Sequence, residues 1–323
     1  MRKYSVIIPV YNRPEEIKEL LESLILQTYK NFEVLVIEDG SKLKCEEIVA
    51  GFKGKLDVHY FYKENSGQGF SRNFGFEKAK GDYFVIFDSD CLIPAHYFQA
   101  VEARLNSDYL DAYGGPDASH PSFTTVQKAI SYSMTSFYAT GGIRGNKKRV
   151  GVFHPRSFNM GISRAVYEKV GGFIITRMGE DIEYSIRVIA NGFKSGLISD
   201  AFVCHKRRTD FVQFFKQLHF FGRARINIYR FFPKELKLVH FFPALFTLFF
   251  AFSLLSLLFD NVITDLCWTF LSVYTLLVFV DSLIRNRNLF VALFSVTAVF
   301  TQLTGYGVGF MKEGFREIFS AKK

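Results

Sequence analysis

Up to residue 90, apolar runs alternate with polar clusters at short, regular intervals. Residues 5–10 (SVIIPV) form an unbroken apolar run, the mark of a strand buried on both faces of a sheet. Between 14 and 29, Ile17, Leu20, Leu21, Leu24, Ile25 and Tyr29 recur at helical spacing. A second strand follows at 33–38 (EVLVIE), closed by Asp39-Gly40-Ser41, then a short helix over 44–52 and a third strand at 58–62. A helix over 71–80 ends at Gly81, and a fourth strand at 82–87 runs into Asp88-Ser89-Asp90. Alternating strands and helices predict an α/β fold built on a doubly wound, mostly parallel sheet. Ligands in such sheets bind beyond the carboxyl ends of the strands. The polar clusters Tyr11-Asn12-Arg13, Asp39-Gly40-Ser41 and Asp88-Ser89-Asp90 all fall there. Residues 111–160 are less regular and read as a helix between loops that shape a cleft; a further helix covers 180–190.

The pattern changes after residue 208. Residues 209–238 interleave Phe with Arg and Lys, as helices lying in a membrane interface do. Three apolar stretches follow at 239–259, 266–284 and 289–310, each near the ~20 residues that cross a bilayer. A basic tail covers 311–323. Composition sharpens this division. Of 38 phenylalanines, 21 lie between Phe202 and Phe310, and of the net charge of +9 much sits between His205 and His240, where nine Lys/Arg face two acids. A basic, Phe-rich belt ahead of apolar runs points to a lipid bilayer and away from nucleic acid.

Charge also orients the chain. The link 260–265 carries two acids and no Lys or Arg, whereas 285–288 carries two Arg, so the second should face the cytosol together with the N-terminal domain. A third full crossing would then place Lys312 and Arg316 outside, against the rule. The third stretch contains Gln302, Gly305, Gly307 and Gly309 and is equally readable as re-entrant. Met1-Arg2-Lys3 leads into a short strand, not a secretory leader. Cys45, Cys91, Cys204 and Cys267 lack zinc or disulfide spacing and read as reduced thiols. The expected organisation is a catalytic domain over 1–208, interface helices, and a multi-pass anchor in the inner membrane.

Several clusters carry candidate chemistry. Asp88 and Asp90, one residue apart at a strand end, can hold a hard divalent cation against phosphate oxygens, or form a solvated turn. Asp39 can accept a hydrogen bond from a base or ribose, or simply make an Asp-Gly turn. Gly67-Gln68-Gly69 with Arg72 suits a phosphate or ribose, although its spacing and position fail the dinucleotide fingerprint. Glu180 and Asp181 open a helix, as capping alone would favour, or supply a general base at a cleft rim. His205 is a structural residue or a metal ligand. Arg207 and Arg208 form a solvated face or meet lipid phosphates.

The set VIIPVYNR (6–13), EDGS (38–41), NSGQGFSRNFG (65–75), FDSD (87–90), GGF (171–173), GED (179–181) and His205 resembles family-2 glycosyltransferases of the GT-A fold over residues 3–208. GGPD (114–117) and the apolar tail are similar to the membrane-anchored, succinoglycan-type branch. The resemblance implies that Pro9, Tyr11 and Asp39 line a nucleoside pocket, that Arg72 contacts the nucleotide, and that Asp88 faces ribose or donor sugar. It implies that Asp90 and His205 hold Mn²⁺ or Mg²⁺, that Asp181 is the catalytic base, and that Glu180 orients hydroxyl groups. Two departures narrow it. No QxxRW motif occurs, against a processive polymerase, and DSDCLIP differs from the string of dolichyl-phosphate-mannose synthases. The implied reaction is inverting transfer from a nucleotide-sugar, a UDP-sugar, to a lipid-linked saccharide. Arg144, Lys147, Lys148 and Arg149 are expected at the acceptor diphosphate, and Arg223, Arg225 and Arg230 at the bilayer. A polyprenyl-phosphate glycosyltransferase, a membrane-bound nucleotidyltransferase and a non-catalytic export scaffold remain alternatives.

Overall fold

The computed structural model describes residues 1–118, 120, 122–141, 153–259 and 261–320. Arg144, Lys147, Lys148 and Arg149, expected at the acceptor, lie outside the described residues. In chain order the elements begin β1 (Tyr4–Val10), α1 (Pro14–Ile25), β2 (Phe32–Asp39), α2 (Glu46–Ala50), β3 (Val58–Lys63), α3 (Gln68–Lys78) and β4 (Tyr83–Phe87). They continue with β5 (Cys91–Leu92), α4 (Tyr97–Ser107), β6 (Ala112–Gly114), β7 (Asp117–Ala118), α5 (Thr125–Thr135) and α6 (Phe137–Thr140). After these come β8 (Asn159–Ser163), α7 (Arg164–Val170), α8 (Glu180–Ala190), β9 (Ser195–Leu197) and β10 (Val203–His205). The chain closes with α9 (Phe211–Phe231), α10 (Phe242–Ser256), α11 (Val262–Asn286) and α12 (Leu289–Ser320).

Contacts divide the chain into two compact units: Met1–His120 with Val150–Lys206, and Pro121–Arg149 with Arg207–Lys323. The second unit thus takes in a segment that the linear 1–208 boundary assigns to the first domain.

The first unit is a seven-stranded sheet in the order β3-β2-β1-β4-β8-β6-β9, with a small sheet β5-β10-β7 beside it. β1 to β4 are mutually parallel, and β8 enters antiparallel to both β4 and β6. Strand alternation splits the core in two. Val6, Ile8 and Val10 point to the α1 and α4 side, whereas Ile7 meets Phe76 of α3 and Phe84 in the other cluster. The sequence pattern covers β1 to β4, α1, α3 and α8, with α1 stopping at Ile25 and α2 trimmed to five residues. It does not contain α4 or the strands β5 to β10. β6, β9 and β10 have three residues each, too few to show a period. β8 (NMGIS) is interrupted by Gly161, where a side chain would sit 2.0 Å from the ring of Tyr113. Asn159 anchors it, accepting from Tyr97 Oη at 2.6 Å and donating to the Ala201 carbonyl at 2.8 Å.

In the second unit, Leu238–Ser256 (α10 with the 3₁₀ turn before it), α11 and Leu289–Phe319 of α12 are long and apolar enough to cross a membrane. The interface helices expected over 209–238 are one helix, α9, followed by two short 3₁₀ turns. The stretch containing Gly305, Gly307 and Gly309 is not broken; α12 runs continuously through it and into the expected basic tail. These glycines are sites of close helix approach. A Cβ on Gly309 would lie 2.1 Å from the His219 carbonyl oxygen of α9, and one on Gly307 would lie 2.4 Å from the Pro243 carbonyl oxygen of α10.

Candidate active site

Parallel register brings the functional strand ends level. Val10 pairs with Glu38, and Asp39 pairs with Lys63 on β3. The Asp39 carboxylate accepts from Lys63 Nζ at 2.7 Å and from the amides of Ser66 and Gly67 at 2.9 Å each. Burial raises its pKa, but these donors outweigh burial and hold it below the ordinary value. Gly67 can take this place because its φ is +89°, which turns the chain into α3. Beside it, Asn12 is held left-handed (φ 55°) while its side chain accepts from the amides of Lys42 and Leu43. Tyr11 is half exposed at the mouth of this loop, and Pro9 is partly buried one turn of strand below. Glu38 is structural: it accepts from the Cys45 amide at 2.7 Å and from the Ser41 hydroxyl.

Past β4, Asp88 and Asp90 face different partners. Arg72 Nη2 donates to Asp88 Oδ1 at 2.9 Å, and Arg72 Nη1 to Glu180 Oε1 at 3.0 Å. The guanidinium is 1% exposed and lies 5.5 Å over the Phe173 ring. Asp90 is buried between Arg13 Nη1 (2.8 Å) and His205 Nε2 (3.0 Å). Burial opposes its ionisation, but His205 and Arg13 prevail and hold its carboxyl well below the usual range. His205 comes from β10, which pairs with β5 directly after the acidic pair (His205 opposite Cys91), and its ring stacks on Phe158 at 5.3 Å.

The turn into α8 places Met178 at φ 65° and Gly179 at φ 99°. A left-handed Met is uncommon. The first turn of α8 then presents Glu180 and Asp181, both buried. Asp181 Oδ2 accepts from Arg156 Nε at 2.6 Å and Oδ1 from the Ile182 amide at 2.8 Å. Burial pushes the Asp181 carboxyl up, but Arg156, with Arg72 and the Ile182 amide, outweighs burial and keeps it lowered. Glu180 goes the other way. Burial and the adjacent Asp181 raise it against the pull of Arg72. Gln68, at the start of α3, also donates to Glu180.

Arg72 joins Asp88 to Glu180, Asp90 is held by Arg13 and His205, Asp39 by Lys63, and Asp181 by Arg156. Sequence reasoning gave no role to Lys63, Arg156 or Arg13, which hold Asp39, Asp181 and Asp90. Lys63 was findable as the strand-end residue opposite Asp39; Arg156 lies in a segment without periodic signal. Arg207, expected on a lipid headgroup, is instead buried, and Arg208 is half-buried. Two of the three arginines expected at the bilayer, Arg223 and Arg230, pair with Glu313 of α12 at 2.8 and 3.1 Å.

The metal reading can be tested on the donors themselves. Asp90, Cys91 and His205 offer ligand atoms within 4.8 Å of one another, with Asp90 Oδ1 buried 3.0 Å from His205 Nε2. Burial drives the Cys91 thiol far above its ordinary pKa and its Sγ donates to the Phe158 carbonyl, so it stays a thiol. A carboxylate and an imidazole remain, a donor pair that fits Mn²⁺ or Mg²⁺ completed by phosphate oxygens.

A mostly parallel α/β sheet with an acidic strand-end pair and a carboxylate-bearing helix defines the GT-A class of transferase domain. The model of the family "Glycosyl transferase family 2" matches residues 5–171. The chain belongs to glycosyl transferase family 2. An uncharacterized glycosyltransferase of Rickettsia typhi is 42% identical over 102 residues, 32% of this chain and 30% of the relative. Glycosyltransferase AglE of Haloferax volcanii is 28% identical over 233 residues, 70% of this chain and 73% of AglE. The chain spans less than a third of the length of the rickettsial relatives it matches. Among solved structures, mannosyltransferase PcManGT from Pyrobaculum calidifontis, in complex with GDP-Man and Mn²⁺, superposes with a TM-score of 0.67 at 17% identity, covering 98% of this chain and 88% of that one. S. aureus TarS 1–349 with UDP-GlcNAc gives 0.51 at 18%, covering 98% and 92%. At these identities the likeness shows the fold.

Proposed function

We propose that the protein is an inverting, divalent-metal-dependent glycosyltransferase, moving a sugar from a nucleotide-sugar donor, a UDP-sugar, to a lipid-linked saccharide at the cytosolic face of a membrane. The observation that carries this reading is the buried Arg72 bridge. It ties Asp88, on the nucleotide side, to Glu180, beside the candidate base. In this reading Asp39 receives the base, Tyr11 stacks on it, and Arg72 and Asp88 meet the ribose and donor sugar. Asp90 and His205 would hold the divalent ion, which when bound supplies charge neutralisation for the departing diphosphate. Asp181, kept ionised by Arg156, accepts the acceptor's hydroxyl proton while Glu180 orients neighbouring hydroxyls. The acceptor oxygen bonds to the anomeric carbon as the bond to the nucleoside diphosphate breaks. A single displacement inverts the centre. The apolar helices hold the domain where lipid-linked acceptors lie.

The two solved neighbours carry a GDP-sugar and a UDP-sugar, so both belong in the test. The detergent-solubilised protein is assayed with Mn²⁺ against a panel of nucleotide-sugars and membrane extract as acceptor. Release of UDP from one donor, with product of inverted configuration, supports the reading. Release of pyrophosphate would make the protein a nucleotidyltransferase, and neither turnover nor donor binding would leave the scaffold alternative.

A further inference from the structure

We propose that α12 does not cross the bilayer. It lies with α9 along the leaflet on the side from which the chain enters α10, and the α10–α11 hairpin alone spans. The inference rests on reading α10 and α11 as membrane spans.

The first ground is the pairing of α9 with α12. The Phe211 ring meets Phe294 at 6.2 Å. Further along, a Cβ on Gly222 would lie 2.1 Å from the Tyr306 carbonyl oxygen, so the two backbones are in contact there. Beyond that, Arg223 pairs with Glu313 at 2.8 Å and Arg230 with Glu317 at 2.6 Å. Contacts advance together, from 211 to 230 and from 294 to 317, so the helices run in the same direction side by side. α9 carries Lys216, Arg223, Arg225 and Arg230, and it is not among the helices apolar enough to span. Cations along the middle of a helix are strongly disfavoured in hydrocarbon. A helix locked along its length to α9 shares its depth.

The second ground is the hairpin. α10 and α11 are antiparallel: Thr264 donates to the Ser256 carbonyl, Phe249 meets Phe270 at 5.3 Å, and Phe246 meets Tyr274 at 5.7 Å. The start of α10 and the end of α11 therefore lie at one end, the entry end. α12 touches both helices there, and its Phe300 reaches as far as Phe250 of α10 and Tyr274 of α11. Ser282 of α11 donates to Ser295 at 2.7 Å, and Thr247 of α10 donates to the Leu303 carbonyl at 3.3 Å, with Gly307 against Pro243. From 295 to 307 a helix rises about 18 Å. A third crossing would carry residue 307 to the far end, beside the last turn of α10. α12 instead passes sideways across the entry half of the hairpin, its ring contacts reaching no further than Phe250 and Tyr274 before it returns to Pro243.

Burial agrees. The apolar residues Leu248, Leu255 and Leu277 of the hairpin are exposed, whereas Ala298, Val299 and Leu303 at the middle of α12 are fully buried. Most exposed apolar residues of α12 lie towards its ends, among them Phe290, Leu293 and Ile318; Val308 is the one nearer its middle. This placement also puts Lys312 and Arg316 on the side of Arg285 and Arg287, as the positive-inside rule favours.

The test uses the full chain with single added cysteines: Leu26→Cys in the first unit, Phe259→Cys at the hairpin turn and Ile318→Cys on α12, all exposed positions. Phe315→Cys is a second reporter in case position 318 is shielded. A membrane-impermeant maleimide is applied to right-side-out and inverted vesicles, and labelling is read above the wild-type background. The expected result is that Ile318→Cys labels in the same vesicle orientation as Leu26→Cys and opposite to Phe259→Cys. Labelling of Ile318→Cys together with Phe259→Cys would overturn the proposal. Labelling of all three in one orientation would show that the hairpin does not cross at all. That would remove the spanning reading itself, and its pattern differs from a failure of the α12 placement alone.

Discussion

Arg156 Nε lies 2.6 Å from Asp181 Oδ2, and this pair decides the charge state of the candidate base. Burial alone would raise the Asp181 carboxyl; Arg156, the strongest of the groups opposing burial, acts with Arg72 and the Ile182 amide to lower it. A base with a lowered pKa stays ionised as pH falls and is lost only below that pKa. Arg156→Gln removes the stabilising charge and raises the pKa of Asp181. The acid limb of the kcat/KM profile should therefore move to higher pH, with donor KM little changed. An unshifted limb would separate Asp181 from the proton transfer.

Asp181→Asn should lower kcat by roughly 10²–10⁴-fold, the range for removing a general base. Donor binding, measured by calorimetry with the UDP-sugar, should survive. Near-normal turnover would mean that another group takes the proton.

Arg72 is buried between two carboxylates. Arg72→Met leaves Glu180 without its charge partner and should destabilise the first unit by about 3–5 kcal/mol, as breaking a buried pair does. Arg72→Met with Glu180→Gln should recover much of the lost thermal stability and none of the activity. Equal stability of the single and double variants would argue against a coupled pair.

Chelation should abolish transfer, and Mn²⁺ should restore it. His205→Ala should raise the Mn²⁺ concentration for half-maximal rate by at least roughly 10–100-fold, the loss already seen when a group that only supports a ligand is removed. An unaltered Mn²⁺ titration would make His205 a packing residue, stacked on Phe158 and nothing more.

Gly222→Val places a side chain against the α12 backbone at Tyr306, which has no flexible end to move aside. The expected loss is about 1–3 kcal/mol in the second unit, the scale of overpacking. It should appear as a lower Tm in detergent with the affinity for donor unchanged.

Much of the nucleotide half was legible because long buried strands print their period on the sequence, and strand ends locate the polar clusters. Asp39, Asp88 and Asp90 stand where β2 and β4 end. The remainder depended on distant chain. β8 is a central strand, yet its five residues read as nothing by themselves, since its burial comes from Tyr113 and β4 on either side. Arg13, Lys63 and Arg156 look like solvated cations until the fold sets each against a buried carboxylate. Phe and Arg in α9 signalled an interface helix, but only the pairing with Glu313 and Glu317 shows that part of its charge is turned towards α12.

The division into two interleaved units has a consequence for synthesis. The chain makes β1 to β7 first, then α5 and α6, and returns to the sheet with β8. α5 and α6 belong with α9 to α12, where Ala129, Ile130 and Met134 pack with Phe214, Val291 and Ala298. Those partners leave the ribosome after the sheet has closed around His205. For that interval the growing protein carries a finished sheet and an unfinished greasy excursion. Its last assembly step is a docking event, in which the newest helices collect a segment that was translated before β8, β9 and β10.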